Sequence, residues 1–431
     1  MKLILDKLAK LSHAEIDFDG ITVIAGANNT GKSTVGKALW GMFTAFSGID
    51  GRVREGREAK CREVLSDFEE RFVDGVLDYD SYELAEDLVG GKIDSAHLRE
   101  ILDDSKDAEH EEPDIEEWVA RFEAILALPD EDIKCQEVLN VLSAVFNSQC
   151  TSLYYPKTYP TFELEIKNKK LSAKITTKLP ECSFGVNLKH TAFYIDNPEA
   201  LVDVARSCNR HSFWGWSSSR FGSTLVERVR RGFMSRADGK TTAVDELLVK
   251  SKFETIESRL KQLMGGGLQY SKTQGLVFID DAFPDNPIKI QNLSQGVKSM
   301  ALLQAAFMNG TISDYDVLIL DEPEIHLHPK WQVRYAEFIV LLQKAFNLTV
   351  LLTSHSPDFI EAIRLYTLKH GIAGRLNGYA SQVEENGSVS MDSLPDDDWD
   401  GVFDSFGSSY DELMKLRLEV EKSSDEHCRA Q

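Results

Sequence analysis

The octapeptide Gly26-Ala-Asn-Asn-Thr-Gly-Lys-Ser33 constrains this chain more than any other feature. Before it stands Ile21-Thr-Val-Ile-Ala25, a short, nearly continuous β-branched run of the kind a buried strand shows. After it, from Lys32 to Phe46, Val35, Leu39, Met42, Phe43 and Phe46 recur at helical spacing. Strand, glycine turn and helix in that order form a G-x-x-x-x-G-K-[ST] loop in its proper context. Glycines let the backbone fold tightly enough that successive N–H groups and the helix N-terminus aim at phosphate oxygens. Gly26, Asn28, Asn29, Thr30, Gly31, Lys32, Ser33 and Thr34 are the expected nucleotide-binding residues. Lys32 would supply a point charge to the β- and γ-phosphates, and the Ser33 hydroxyl would ligate Mg²⁺. Standing alone, the octapeptide also reads as a glycine turn leading into a capped helix.

Three later motifs place polar residues at the ends of apolar segments. Val317-Leu-Ile-Leu-Asp-Glu322 is a buried strand closed by two carboxylates. Asp321 is placed to hold Mg²⁺ through its waters. Glu322, on the other face of the strand end, is placed to orient and deprotonate an attacking water. Leu348-Thr-Val-Leu-Leu-Thr-Ser-His-Ser356 puts His355 where a group sensing a γ-phosphate would stand. Asn292-Leu-Ser-Gln-Gly-Val-Lys-Ser299 precedes the apolar helical run 300–307, and its Ser294, Gln295 and Gly296 make a second anion-seeking helix start. One chain already has a phosphate cradle at 26–33, so a second makes sense if it closes over nucleotide held by another subunit. Taken singly, these motifs also read as solvated carboxylates, a structural histidine and a Ser-capped helix. Their order behind the glycine loop favours the phosphate reading.

P-loop, L-S-x-G, strand-Asp-Glu-Pro and strand-Ser-His, in that order, resemble the heads of ABC-type ATPases. The continuation Asp321-Glu-Pro-Glu-Ile-His-Leu-His-Pro329, with Thr353-Ser-His-Ser-Pro357, is similar to the SMC-like branch. More narrowly it resembles OLD-type ATPases and the single-head ATPases of bacterial anti-phage defence systems such as PARIS and Septu. The resemblance covers residues 1–47 and 270–365. It implies an α/β fold, a P-loop head whose mixed sheet is flanked by helices, with a helical and β insert between P-loop and signature. It implies ATP and Mg²⁺ as cofactors and hydrolysis to ADP and phosphate. By the same resemblance Lys32 and Ser33 bind phosphate and metal, Asp321 supports the metal, Glu322 is the hydrolytic base and His355 the switch histidine. Ser294 and Gly296 would touch ATP in the opposing subunit of an ATP-dependent dimer or higher homo-oligomer.

The sequence departs from the transporter pattern at several points. Gln295 stands where the second signature glycine would be, and His328 where the D-loop aspartate would be. No aromatic residue is obviously placed to stack on adenine. Gln149, a weak match to the glutamine loop, reads better as a surface glutamine at a helix end. OLD nucleases continue into a TOPRIM domain, whereas only 76 residues (431 − 355) follow His355, too few for one. The expectation is therefore an ATPase controlling a separately encoded effector, a nuclease or toxin. A DNA-repair or DNA-end-handling SMC-like ATPase, and a scaffold that ATP merely locks, remain as alternatives. The large insert and the Glu324-Ile-His-Leu-His328 continuation speak against a transporter subunit.

Along the chain, residues 1–55 read as the N-terminal half of the head, 56–150 as an acidic helical insert and 151–200 as a β-rich part of the head. Residues 201–268 read as a basic helical insert, arm-like or an interface, 269–370 as the C-terminal half of the head, and 371–431 as a tail closed by a helix from Tyr410 to Val420. Within these, Thr161–Ile166 and Leu171-Ser-Ala-Lys-Ile175 alternate around a turn at Lys167-Asn-Lys-Lys170, a hairpin signal, and 191–195 and 276–281 read as strands. Nine carboxylates against Lys106 make 101–117 a solvated loop and helix start. From Arg206 to Lys240 eight Arg and Lys face Glu227 and Asp238, with Phe213, Trp214, Trp216 and Phe221 interleaved. That island fits a nucleic-acid groove, a protein interface, or a helix pair with solvated arginines. Asp396, Asp397, Asp398 and Asp400, beside Pro395 and Gly401, read as an acidic loop rather than a metal site.

Composition sets outer limits. With 48 basic against 70 acidic residues the net charge is −22, which excludes a protein coating nucleic acid with its whole surface. No apolar run approaches the roughly 18 residues that span a bilayer. The opening Met-Lys-Leu-Ile-Leu meets Asp6 and Lys7, unlike a signal peptide, so a cytoplasmic protein is expected. Cys61, Cys135, Cys150, Cys182, Cys208 and Cys428 form no C-x-x-C pair, as expected of reduced thiols without a metal framework.

Overall fold

The computed structural model describes residues 1–73, 79–105, 113–176, 180–209, 224–237, 256–271, 273–308, 310–395 and 399. Its strands are β1 (Lys2–Asp6), β2 (Leu11–Asp17), β3 (Ile21–Ala25), β4 (Thr161–Ile166), β5 (Lys169–Lys174), β6 (Glu181–Phe184), β7 (Ala192–Ile195), β8 (Gly266–Ser271), β9 (Gly275–Asp280), β10 (Ile288–Lys289), β11 (Val317–Asp321), β12 (Thr349–Ser354), β13 (Leu376–Val383) and β14 (Val389–Ser393). Eleven of them make one mixed sheet in the order β6-β5-β4-β1-β2-β14-β13-β3-β12-β11-β7, and β10-β9-β8 make a second, small one.

The centre of the large sheet is parallel. β13, β3, β12, β11 and β7 run the same way, so Ala25 lies opposite Ser354 and Ala380, and Asp321 opposite Thr353. β3, β12, β11 and β7 are apolar runs because both faces are covered. Leu318, Leu320, Val350 and Leu352 enter one core, and Val317, Ile319 and Leu351 enter the other. The first core is roofed by α9 (Gln295–Met308), α10 (Pro329–Phe346) and α11 (Pro357–Lys369). The second is closed by α1 (Lys32–Phe46), whose Val35, Leu39, Met42 and Phe46 face inward as the helical spacing predicts.

The flank β6-β5-β4-β1-β2 is an antiparallel meander whose residues alternate between buried and open, as in β2. The hairpin expected around 161–175 is present, with a tighter turn. Lys167 and Asn168, both at positive φ, form a two-residue connection, and β5 starts at Lys169. Such a turn matches the twist of the flanking strands better than a longer one.

The reading of 371–431 as a tail is corrected for its described part, whose two strands join the sheet. β13 and β14 lie in the middle of the sheet, β13 parallel to β3 and β14 parallel to β2. Leu376-Asn-Gly-Tyr-Ala-Ser-Gln-Val383 carries little apolar pattern because backbone pairing on both sides holds it in place, helped by Tyr379 in the second core and by Leu376 and Ala380 against the first. Gly378 is required there, since a Cβ would stand 2.7 Å from the Trp399 ring. The expected strand at 276–281 exists as β9, but it sits in the small sheet while Leu276 and Phe278 fill the first core.

The acidic insert has a core of its own. Helices α2 (Ile49–Phe72), α3 (Ser81–Val89), α4 (Ser95–Asp104) and α5 (Ile115–Leu126) bury Cys61, Leu65, Phe68, Leu84, Leu98, Trp118 and Phe122 against one another. α6 (Asp130–Val145) instead packs Val138, Val141 and Leu142 into the α1 core. Where the sequence suggested a loop from 101, α4 runs on to Asp104, and Asp114 caps α5 by accepting from the Glu117 N–H at 3.3 Å. Helices α7 (Ala200–Asn209) and α8 (Thr224–Ala237) place Val204, Ala205, Val229 and Phe233 in the first core. Three of their arginines pair locally, Arg206 with Asp203 and Arg230 and Arg231 with Glu227, whereas Arg228 donates to Thr191 Oγ1 at 3.0 Å. Phe213, Trp214, Trp216, Phe221, Lys240, the aspartates at 396–398 and 400, the helix expected at 410–420 and Cys428 lie outside the described residues. Among the described residues no helix is long and apolar enough to cross a membrane, and Cys61, Cys135, Cys150, Cys182 and Cys208 are free thiols.

Candidate functional site

Parallel strands share one carboxyl edge, and a chain that leaves this edge into a helix points that helix's N-terminus back over it. Here the edge collects the ends of β3, β11, β12 and β7. Gly31, at φ 80, lets the chain turn from β3 into α1, and α1 starts at Lys32 with no side chain capping its first amides. Those uncapped N–H groups, beside a lysine and a hydroxyl, suit a phosphate. Two other helix starts at this edge, those of α10 and α11, are capped. Ser356 accepts from the Phe359 N–H at 3.4 Å, and His328 accepts from the Lys330 N–H at 3.3 Å. A local cap is thus what His328 does in this chain.

The loop before α1 is closely supported. Gly26 has its carbonyl 2.9 Å from Lys32 Nζ, and Ala27 offers a second carbonyl at 2.7 Å. A Cβ on Gly26 would stand 1.9 Å from the Ser381 hydroxyl, which itself donates to Thr30 Oγ1 at 2.8 Å. Asn28 and Asn29 are exposed; Asn29, at φ 63, accepts from Lys10 Nζ at 3.0 Å through its carbonyl. The Thr34 N–H donates to the Gly31 carbonyl at 3.0 Å. Lys32 is only 3% exposed, and burial lowers its ammonium pKa below the usual lysine range, opposed by Glu322, Asp321 and Glu324. Its Nζ is 3.6 Å from Glu322 Oε1.

At the end of β11 the structure brings Asp321 to Ser33. Ser33 Oγ donates to Asp321 Oδ1 at 3.0 Å, Thr353 Oγ1 donates to the same oxygen, and the Tyr194 hydroxyl donates to Oδ2 at 2.6 Å. Burial, then the Asp321 charge, raises the Tyr194 hydroxyl's pKa, so it stays a donor. Glu322 departs from the strand at φ 48, held by its N–H on the Thr353 carbonyl and hydroxyl. Its Oε1 lies 3.4 Å from His355 Nδ1 as well as near Lys32. Lys32, Ser33, Asp321, Glu322 and His355, far apart in sequence, therefore meet within side-chain reach.

Beneath them a buried network laces two loops together. Glu324 is 1% exposed and accepts from Ser354 Oγ at 2.5 Å. Gln332 donates to the carbonyls of Glu324 and Leu327 and accepts from Ser356 Oγ at 2.9 Å. The loop bearing Glu322 is thus tied to the turn bearing His355.

Ser294, Gln295 and Gly296 stand elsewhere on the chain. Ser294 is exposed and accepts from the Val297 N–H at 3.4 Å. A Cβ on Gly296 would meet Leu327 Cδ2 at 2.8 Å and the His326 carbonyl at 3.1 Å, so only glycine lets α9 begin against that loop. Gln295 Nε2 and Lys298 Nζ each donate to Glu199 Oε1 at 2.6 Å, which lowers the Glu199 carboxyl's pKa below the usual range.

The donor set fits Mg·ATP. Mg²⁺ takes hard oxygen ligands, usually one or two from protein with the rest from water and phosphate. Ser33 Oγ and Asp321 Oδ1 supply such oxygens, and among the described residues no cluster of three or more His, Cys, Asp or Glu offers an all-protein cage. Sequence reasoning missed Tyr194, Ser381, Glu199 and Lys298. Tyr194 carried one usable signal, its place at the end of a strand, but which strand it would neighbour is a matter of topology.

Residues 240–361 match the family described as "AAA domain, putative AbiEii toxin, Type IV TA system". A Geobacter sulfurreducens protein described as "Putative ABC transporter ATP-binding protein" is 24% identical over 226 residues, 44% of this chain and 76% of the relative. The "Retron Vc95 probable ATPase" of Vibrio cholerae is 32% identical over 93 residues, 19% of this chain and 18% of that protein's length. Among solved structures, the SMC head domain from Thermotoga maritima aligns at TM-score 0.36 and 13% identity, covering 91% of this chain and 98% of that one. An SMC head bound to the C-terminal winged-helix domain of ScpA aligns at 0.44 and 12%, covering 91% and 96%. The fold is an α/β P-loop head with a mixed sheet flanked by helices, and the sequence likenesses are to an AAA-domain family, an ABC-type ATP-binding protein and a probable ATPase.

Proposed function

We propose that this chain binds Mg·ATP at residues 26–34 and hydrolyses it in a pocket completed by Ser294, Gln295 and Gly296 of a second copy. In this reading it is the sensor or scaffold of a bacterial anti-phage defence complex and controls a separately encoded nuclease or toxin. The observation that carries the ATPase reading is the meeting of Lys32, Ser33, Asp321, Glu322 and His355 at one strand edge. The defence role draws on the AbiEii-type family match and the retron relative.

Phosphoryl transfer needs positioning and charge stabilisation more than covalent help. The uncapped amides of α1 and the Lys32 ammonium hold the phosphates. Ser33 and Asp321 would hold Mg²⁺, which when bound would neutralise charge developing on the phosphates. Glu322 Oε1, between Lys32 and His355, accepts the proton of a water aligned on the γ-phosphate. His355 stands where it registers that phosphate. Ser294 is exposed, which is compatible with an ATP contact in trans.

Glu322→Gln tests this. General-base catalysis supplies about 10²- to 10⁴-fold, so turnover should fall by at least about 100-fold while ATP binding persists. With ATP the variant should accumulate as a dimer in light scattering, and ADP should release it. Unchanged turnover removes Glu322 from its role. An ATP-bound protein that stays monomeric at every concentration removes the shared pocket. Affinity capture from the native host, with and without ATP, then identifies the effector.

A further inference from the structure

Asp321 presents an unusual coordination for a residue that must support a metal. A carboxylate has about four lone-pair positions. Three are taken by hydroxyls, from Ser33 and Thr353 on Oδ1 and Tyr194 on Oδ2. Ser33 and Thr353 come from α1 and β12, neighbours that any such loop and strand would provide. Tyr194 comes from β7, the edge strand that pairs with β11 in parallel, with Tyr194 opposite Ile319. Its ring is fixed from the other side by α1. A Cβ on Gly36 would stand 3.1 Å from Tyr194 Cε2, so the ring rests on bare helix backbone, and the Trp40 ring lies 6.2 Å away. The hydroxyl is thus held by packing on two elements and delivered to one carboxylate oxygen.

We propose that Tyr194 is a positioning residue for the cation: by occupying Asp321 Oδ2 it turns the Oδ1 edge toward Ser33 and sets how strongly Mg²⁺ tightens nucleotide binding. This rests on the Mg·ATP reading of the P-loop. With one position on Oδ2 taken by the phenol and one on Oδ1 by Thr353, neither oxygen is wholly free. Asp321 would meet the cation through the Oδ1 position that Ser33 now occupies, directly or through a water, with the phenol setting the plane of the carboxylate. Hydrogen bonds of this kind, one shell out from the metal, typically contribute 10- to 100-fold to metal affinity.

Tyr194→Phe removes only the hydroxyl and keeps the ring on Gly36. Calorimetric titration of the full-length protein with ATP, in EDTA and at saturating Mg²⁺, reads the effect without turnover. Affinity in EDTA should match wild type, and the enhancement by Mg²⁺ should fall at least about tenfold. In an Asp321→Asn background the same change should add no further loss, because the two act as one unit. A wild-type Mg²⁺ enhancement in Tyr194→Phe overturns the proposal. So does a full additional loss in the Asp321→Asn background, which would make Tyr194 a packing residue. If wild-type protein itself binds ATP no better with Mg²⁺, the Mg·ATP reading fails and takes this role with it.

Discussion

The parallel centre and the antiparallel flank of the large sheet use the same backbone ladder, yet only the centre gathers the glycine loop, two carboxylates and the histidine turn at one edge. β3, β12, β11 and β7 all end at one edge, so Ala25, Ser354, Asp321 and Ile195 stand in a row where loops and helix starts converge. In the flank each strand reverses its neighbour, and alternate strand ends lie at opposite edges. The flank's polar residues pair across strands instead, as Lys170 does with Glu163. Direction of travel, more than residue type, decides which half of the sheet acts as a site.

The largest expected difference between the halves is in ligand binding. Lys32→Ala removes the one buried ammonium of the glycine loop and should leave no measurable ATP binding by calorimetry. Tight binding by that variant would break the contrast at its root. Next comes the core. Leu351 and Leu164 are both fully buried, so truncation to Ala should cost about 2–5 kcal/mol in either half, read by urea unfolding. Leu351→Ala should also weaken ATP binding, since its strand carries Thr353 and Ser354, whereas Leu164→Ala should not.

A smaller effect depends on pH. Burial, which the Ser354 hydrogen bond only partly offsets, keeps the Glu324 pKa above the usual glutamate value. A raised carboxyl pKa means the folded chain keeps its proton to higher pH than the unfolded one. Its contribution is then fully present below the unfolded value, near 4.5, and is lost as pH rises through the folded value. Glu324→Gln should therefore flatten the fall in melting temperature between pH 4 and pH 8, gaining on wild type at the alkaline end. Parallel curves for the two proteins would show that Glu324 is paired better than its burial suggests. Least of all, Lys170→Ala cuts an exposed cross-strand pair in the flank and should leave both the unfolding midpoint and ATP binding unchanged. A clear loss of binding there would mean the flank takes part in the site.

Much of the centre is legible in the order of amino acids. β3, β11 and β12 are continuous apolar runs, and each ends in residues whose chemistry differs sharply from what precedes them. β13 is not legible in that way. Its Asn377, Gly378 and Ser381 look like loop, because a strand held by ladders on both sides needs no apolar alternation. Ser381 then reaches Gly26 and Thr30 from a segment more than 350 residues away. Tyr194 escapes for a related reason: nothing local says that the strand bearing it pairs with β11.

By itself the sequence determined the glycine loop, the carboxylate pair, the histidine turn and the apolar segments that deliver them, since each depends on neighbours a few residues apart. Only the tertiary structure decided that Tyr194 holds Asp321, that Glu324 and Gln332 lace the acidic loop to the histidine turn, and that β13 lines the centre of the sheet. Those contacts join residues far apart along the chain, and strand order, which fixes them, follows from how whole faces bury one another rather than from any local pattern.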